Sequence, residues 1–216
     1  MEVIELKNVS KKYGNNVIYS SLNLTIEKNK TLVVLGESGS GKTTLINMLL
    51  NLIDYEGEIS GITLPVATVF QQDRLVKNLT VSENLRLVNE NIDVSLALKE
   101  VGLEGTTDSY VKSLSGGMAR RVALARAINY PSDKLFLDEP FINLDLAHKY
   151  KIMDLIKSKL KQTPKTVVMV THDVKEAVYM ADRIIVLSKG KIVYDNSRIN
   201  EKTEQELFGL LMNINL

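Results

Sequence analysis

Leu22, Leu24 and Ile26 alternate with polar Asn23 and Thr25, the period-two pattern of a strand with one wet face. A polar turn from Glu27 to Lys30 follows. Thr31 to Leu35 is nearly all apolar, as in strands covered on both faces, and a glycine-rich loop and a helical pattern come directly after it. Val66 to Phe70, entered through Pro65, is a further strand. Leu135 to Leu137 and Val167 to Val170 are short apolar runs that end at polar Asp138 and Thr171 and read as buried parallel strands. Between them Leu146, Tyr150, Met153, Ile156 and Leu160 keep a helical stripe that ends before Pro164. Ile184 to Leu187 and Ile192-Val193 flank Lys189-Gly190, which predicts a hairpin at the sheet edge. Leu207, Leu210 and Leu211 predict a short last helix.

From Thr80 onward the period turns helical. Val94, Ala97, Leu98 and Val101 share one helix face that Gly102 is placed to stop. Ser82 is a suitable N-cap for a helix through Glu83, Asn84 and Leu85. Residues from about 72 to 130 therefore read as a mainly helical insert in an α/β fold with a mainly parallel sheet.

Composition narrows the function classes. The 216 residues are 44% hydrophobic and 25% charged, enough for one sizeable core. With 27 basic and 26 acidic residues the net charge is +1, so bulk charge does not point to nucleic acid. There are no cysteines, which removes disulfides, thiolate metal sites and thiol catalysis. His148 and His172 are too few for a histidine metal cluster. Met1 to Glu5 lacks the basic start and apolar core of a signal peptide, and no apolar run approaches the roughly 18 residues that span a bilayer. Work at a membrane would need another chain to do the spanning.

Three motifs carry chemistry. Gly36-Glu37-Ser38-Gly39-Ser40-Gly41-Lys42-Thr43 has the spacing of a phosphate loop. Its glycines let successive N–H groups point inward at a phosphate, and the helix that follows adds its positive end. Lys42 is suited to the β- and γ-phosphates, and the Thr43 hydroxyl to magnesium. Asp138-Glu139 sits at the C-terminal end of an apolar strand, where open α/β sheets present ligands. Asp138 is suited to holding an ion, Glu139 to acting as general base; alone, the pair reads equally well as a helix start. Leu114-Ser115-Gly116-Gly117-Met118 is a second anion-binding helix start, though Ser115 also serves as an ordinary N-cap. One phosphate chain does not easily occupy both cradles in one subunit, so a neighbour is the economical source of the second.

In the order and spacing of these motifs the chain resembles the nucleotide-binding subunits of ABC (ATP-binding cassette) transporters over nearly its whole length. That resemblance implies a single ABC ATPase domain over residues 1–216: a RecA-like core, an antiparallel β subdomain and the helical subdomain at 72–130. It implies ATP and Mg2+ as the bound species. Gly36, Ser38, Gly39, Ser40, Gly41, Lys42, Thr43 and Thr44 would hold phosphates, and Tyr13 would stack on adenine. Thr43, Gln71 and Asp138 would serve the metal, and Glu139, His172, Gln71 and Lys42 the hydrolysis. Ser115, Gly116, Gly117 and Asp145 would face a neighbour's nucleotide. Implied partners are a second cassette, as homodimer or paired subunit, transmembrane permease subunits, and an extracytoplasmic substrate-binding protein, with no nucleic acid. The implied place is cytoplasmic, on the inner face of the membrane through the permease.

By position in the family motif Gln71 is preferred over its neighbour Gln72. Phe70 to Leu75, Asp138 to Phe141 and Thr171 to Ala177 resemble importer ATPases of the nitrate, sulfonate and taurine group. Met118 stands where signatures often carry glutamine, Asn29-Lys30 where glycine-glutamate is usual, and Ile142 to Asp145 varies the usual small residues. A soluble ABC protein of repair or translation is the rival, against which the lack of coiled-coil insertions and tandem cassettes counts. A phosphate-loop kinase or switch GTPase would leave Leu114 to Met118 without a reason.

Overall fold

The computed structural model describes residues 3–214; Met1 and Glu2 of the N-terminal reading lie outside them. In chain order the elements are β1 (Ile4–Tyr13), β2 (Asn16–Ile26), β3 (Thr31–Gly36), α1 (Lys42–Leu49), β4 (Glu56–Ser60), β5 (Ala67–Val69), α2 (Val81–Arg86) and α3 (Val94–Glu100). There follow α4 (Gly116–Ile128), β6 (Lys134–Asp138), α5 (Leu146–Gln162), β7 (Thr166–Thr171), α6 (Val174–Met180), β8 (Arg183–Ser188), β9 (Lys191–Asn196) and α7 (Thr203–Ile214). A small antiparallel sheet has the order β2-β1-β4, and a larger one the order β5-β6-β7-β3-β8-β9. In the larger sheet neighbours run parallel from β5 to β8, and β9 pairs antiparallel at its edge.

The unbroken apolar runs have a direct cause. Val33 and Leu35 of β3, Leu135 and Leu137 of β6 and Val167 and Met169 of β7 pack with side chains of α4, α5 and α6. The alternate residues, Leu32, Val34, Phe136, Val168 and Val170, pack on the other face with α1 and with Leu6, Leu24 and Ile26 of the small sheet. Each strand is thus buried on both sides, and neither face can be polar. β2 has only one covered face, so its alternation survives.

The edge hairpin turns at Lys189-Gly190, both with positive φ (47° and 74°), the backbone that a tight two-residue turn demands. Gly190 lies so near β2 that an added Cβ would sit 2.0 Å from the Ile18 carbonyl oxygen. The hairpin tip thereby packs directly against the β2 backbone at Ile18. Asn29, where a glycine was expected by resemblance, has φ 58°, a conformation asparagine tolerates better than most residues.

Two local expectations are corrected. α2 is capped by Thr80, not Ser82: the Thr80 hydroxyl accepts from the Glu83 N–H while the Glu83 carboxylate accepts from the Thr80 N–H at 2.7 Å. This reciprocal pair satisfies two helix-end donors, which Ser82 does not do. In α5 the buried stripe is Ile152, Met153 and Ile156, whereas Leu146 is 70% exposed, because Asp145 caps the helix at the surface and its first turn stands clear of the core. α3 ends as expected, with Gly102 just beyond it at φ 67°.

Between residues 72 and 130 lie α2, α3, α4 and one 3-10 turn at Val111–Ser113, joined by irregular chain. Val81, Leu85, Val94, Leu98 and Val122 form their own apolar cluster. α4 serves two clusters, with Val122 and Ala125 in the helical one and Leu124, Ala127 and Ile128 against the large sheet. Among the described residues no helix is long and apolar enough to cross a membrane.

Candidate functional site

Parallel strands bring their C-terminal ends to one edge of a sheet, and every motif that follows such a strand meets there. In sheet order, Gln71 follows β5, Asp138-Glu139 ends β6, His172 follows β7, and the Gly36 to Thr43 loop leaves β3. A cavity of about 350 Å³ opens at this edge, lined by Asn16, Ile18, Ser38, Gly39, Gly41, Lys42, Thr43, Thr44, Gln71 and Glu139. Gln72 lies outside it and instead lines a larger cavity of about 660 Å³ with Asp73, Arg74, Leu75, Lys112 and Leu114.

The loop's conformation requires glycine. Gly39 has φ 83° and Gly41 φ 104°, and a Cβ on Gly39 would meet open space, so the loop's outer wall faces the cavity with backbone. The first-turn N–H groups of α1 have no intrahelical acceptor and add positive potential at the same place. Lys42 is 7% exposed and donates to the carbonyls of Gly36 (2.7 Å) and Glu37 (2.8 Å). Burial holds its ammonium below the usual lysine range, opposed by Glu139, Asp138 and Glu37. The Ser40 hydroxyl is buried and lacks a partner among the described residues.

Thr43 donates its hydroxyl to Asp138 Oδ1 at 3.2 Å. Burial pushes the Asp138 carboxyl up, with Glu139 adding to it and Thr43, Lys42 and Arg120 opposing. A cation would relieve that cost. Hard oxygen donors of this kind suit Mg2+, which takes one or two protein ligands and completes its shell with phosphates and water. Among the described residues no group of three or more His, Cys, Asp or Glu is arranged as a metal cage. Thr43 and Asp138 therefore fit an ion that arrives with a polyphosphate.

Glu139 has φ 47°, uncommon for a non-glycine residue, and its N–H donates to the Val170 carbonyl at 3.0 Å. Its two carboxylate oxygens face different partners: Oε1 is 4.0 Å from Lys42 Nζ, and Oε2 is 2.9 Å from His172 Nδ1. Behind His172, Thr171 donates its hydroxyl to buried Glu176 at 2.7 Å, and Lys149 of α5 pairs with both Glu176 (2.6 Å) and Asp173 (3.0 Å).

The remaining expected residues lie elsewhere. Tyr13 is 48% exposed at the end of β1, opposite Asn16, with the Lys11 ammonium 4.9 Å from its ring centre. Ser115, Gly116 and Gly117 do not line the loop cavity. Ser115 caps α4 by accepting from the Met118 N–H, Ser115 and Gly116 are exposed, and a Cβ on Gly117 would lie 3.0 Å from the Asn143 carbonyl oxygen. Met118 packs into the helical cluster. Asp145 caps α5 by accepting from the His148 N–H, with its other oxygen 2.6 Å from His148 Nδ1; these hydrogen bonds hold its carboxyl below the usual range.

Sequence reading missed four contributors. Asn16 and Ile18 line the cavity from β2. Tyr19, fully buried, donates its hydroxyl to the Gly41 carbonyl at 2.9 Å. Arg120 of α4 is 1% exposed. The one signal for Arg120 was its phase: it falls on the stripe of Leu124, Ala127 and Ile128, where a charge requires partners.

The ABC transporter family model matches residues 19–142. The aliphatic sulfonates import ATP-binding protein SsuB 3 of Paraburkholderia xenovorans is 39% identical over 194 residues, covering 88% of this chain and 78% of that protein. SsuB 1 of Nocardia farcinica is 38% identical, covering 90% and 81%. A bacterial ABC transporter cassette solved as a dimer superposes with TM-score 0.81 at 31% identity, covering 90% of this chain and 99% of that one. A post-hydrolysis state of an ATP-binding cassette with ADP and Pi bound superposes with TM-score 0.80. With this fold, these motifs at one sheet edge and these relatives, the chain belongs to the ABC transporter family, as one of its ATP-binding, ATP-hydrolysing subunits.

Proposed function

We propose that two such subunits close head to tail around two Mg-ATP molecules, each phosphate loop facing the Ser115-Gly116-Gly117 turn of its neighbour, and that the cycle of closure and release drives import through separate permease subunits. One observation carries this reading. Lys42, Thr43, Gln71 and Glu139 share one cavity, while Ser115 and Gly116 are exposed outside it. Half of a phosphate-binding set therefore looks outward, and a second copy is the simplest supplier of its nucleotide. The dimeric cassette among the structural neighbours supports the pairing, and the relatives named as sulfonate import proteins support the direction.

The loop N–H groups and Lys42 would bind the phosphates, and Tyr13 would cover the adenine. Thr43 and Asp138, with Gln71 nearby, would hold Mg2+, which supplies charge neutralisation to the transferred phosphoryl group. Glu139 would orient water and take its proton, and His172, already 2.9 Å from Glu139, would contact the γ-phosphate and steady the carboxylate. Asp145 would face the partner. The residues at 72–130 would act as a helical lobe on the RecA-like core. Gln71 lies in the nucleotide cavity and Gln72 in the larger groove, so a permease segment seated in that groove would sit one residue from the metal site. Permease attachment would keep the subunit at the cytoplasmic face of the membrane, and an extracytoplasmic binding protein would deliver cargo on the far side.

Glu139→Gln keeps the shape of the side chain and removes its basicity. The variant is expected to dimerise with ATP while turnover falls at least about 100-fold; wild-type hydrolysis in that variant removes Glu139 from the role.

A further inference from the structure

Arg120 is the largest fully buried side chain among the described residues, and all five of its N–H groups are used. Nε donates to the Pro140 carbonyl (2.8 Å), Nη1 to the Phe70 carbonyl (2.6 Å) and to Asp73 Oδ1 (2.9 Å), and Nη2 to the carbonyls of Asp138 (3.0 Å) and Glu139 (2.5 Å). Only one acceptor is a carboxylate. The other four are backbone carbonyls from two loops, one directly before Gln71 and one running through Glu139.

Burial alone requires that every N–H of the guanidinium find an acceptor; what is particular here is where the acceptors lie. A planar fork that closes on three consecutive carbonyls, Asp138 to Pro140, fixes the turn that holds Glu139 at its positive φ. Arg120 also stands on α4, about 6 Å along the axis from the helix start at Gly116. A helix is stiff over that length, so any shift of the Ser115 to Gly117 turn reaches both loops through one side chain.

We infer that Arg120 is a positioning residue that makes the aim of Glu139 and Gln71 depend on the seating of the chain's own signature turn. A nucleotide held by the neighbour against Ser115 to Gly117 would then be felt in this subunit's hydrolytic site. The inference rests on the roles proposed above for Glu139, Gln71 and Ser115.

The test is steady-state ATP hydrolysis by full-length Arg120→Lys and Arg120→Gln, with thermal melts. Lysine keeps the charge and reaches one or two of the acceptors; glutamine keeps two N–H groups without charge. For Arg120→Lys, kcat is expected to fall by about tenfold or more while KM for ATP stays within about threefold, since aim is lost and phosphate binding is not. A folded variant with kcat within about twofold of wild type, or a loss carried wholly by KM, overturns the inference. Failure of both variants to fold also overturns it, because the residue is then structural only. The Glu139→Gln variant is the control: if it too hydrolyses ATP normally the proposed catalytic role has failed, and if it is dead while Arg120→Lys is normal only the positioning role has.

Discussion

Tyr19→Phe isolates one contact beneath the phosphate loop. The ring is fully buried and its hydroxyl donates to the Gly41 carbonyl at 2.9 Å; Gly41 has φ 104°, and an added Cβ would lie 2.8 Å from that hydroxyl. The phenol therefore works as a strut under the tightest bend of the loop, and burial pushes its titration up so that it stays a neutral donor. Removing one oxygen loses a neutral hydrogen bond worth about 0.5–1.5 kcal/mol. A larger loss is not expected, since the Leu45 N–H also donates to the Gly41 carbonyl at 2.9 Å and keeps it from being left unpaired. At about 2–4 °C per kcal/mol for a domain of this size, the melting temperature should fall by about 1–6 °C. A loosened loop has to be ordered by the ligand, so KM for ATP is expected to rise about two- to fivefold with kcat little changed. Scanning calorimetry and steady-state kinetics read both numbers. A melting temperature unchanged within about 0.5 °C together with an unchanged KM would refute the strut; a fall in kcat alone would move Tyr19 from binding to catalysis.

Glycine geometry gives a paired prediction. Gly190→Ala would put a Cβ 2.0 Å from a backbone oxygen at positive φ and is expected to cost roughly 2–4 kcal/mol, whereas Gly209→Ala, in α7 with open space around it, should stabilise by up to about 1 kcal/mol; equal melting temperatures for the two would defeat the argument. For pH, the Arg183 guanidinium grips Asp195 at 2.7 and 2.6 Å and holds its carboxyl below the usual range. A lowered native pKa means stability that is present above the unfolded value near 3.9 and lost as pH falls through the native one. Asp195→Asn should therefore melt lower than wild type near neutral pH, by no more than about 1 kcal/mol for so exposed a pair, and the gap should close below about pH 4; a gap that persists in acid points to a cause other than charge.

The parallel strands were legible because burial on both faces leaves an unbroken apolar run such as Thr31 to Leu35, and the edge hairpin because Lys189-Gly190 breaks one. The glycine-rich loop was legible because its glycines stand between an apolar strand and a helix, where Gly39 and Gly41 take positive φ. The cap of α2 was open to a better reading, since Thr80 stands three residues before Glu83 and completes the reciprocal box that Ser82 cannot. Leu146 misled because a helical period continues through a first turn that the core does not reach. Arg120 and Tyr19 were hidden for a different reason. Their main acceptors are backbone carbonyls, at Phe70 and at Asp138 to Pro140 for one and at Gly41 for the other, and a carbonyl leaves no trace in residue type. What such contacts place, the turn at Glu139 and the bend at Gly41, is decided by tertiary approach between segments far apart in the chain.

On the proposed head-to-tail pairing, one subunit's loop is completed by the other's signature turn. Lys42→Ala and Ser115→Arg chains, each expected to be inactive alone, are mixed in equal amounts and assayed for ATP hydrolysis. In a mixed pair one site joins an intact loop to an intact turn while the other carries both lesions, so activity should return to roughly a quarter of the wild-type level. A mixture that stays inactive, or a Ser115→Arg chain that hydrolyses ATP at the wild-type rate by itself, contradicts the claim.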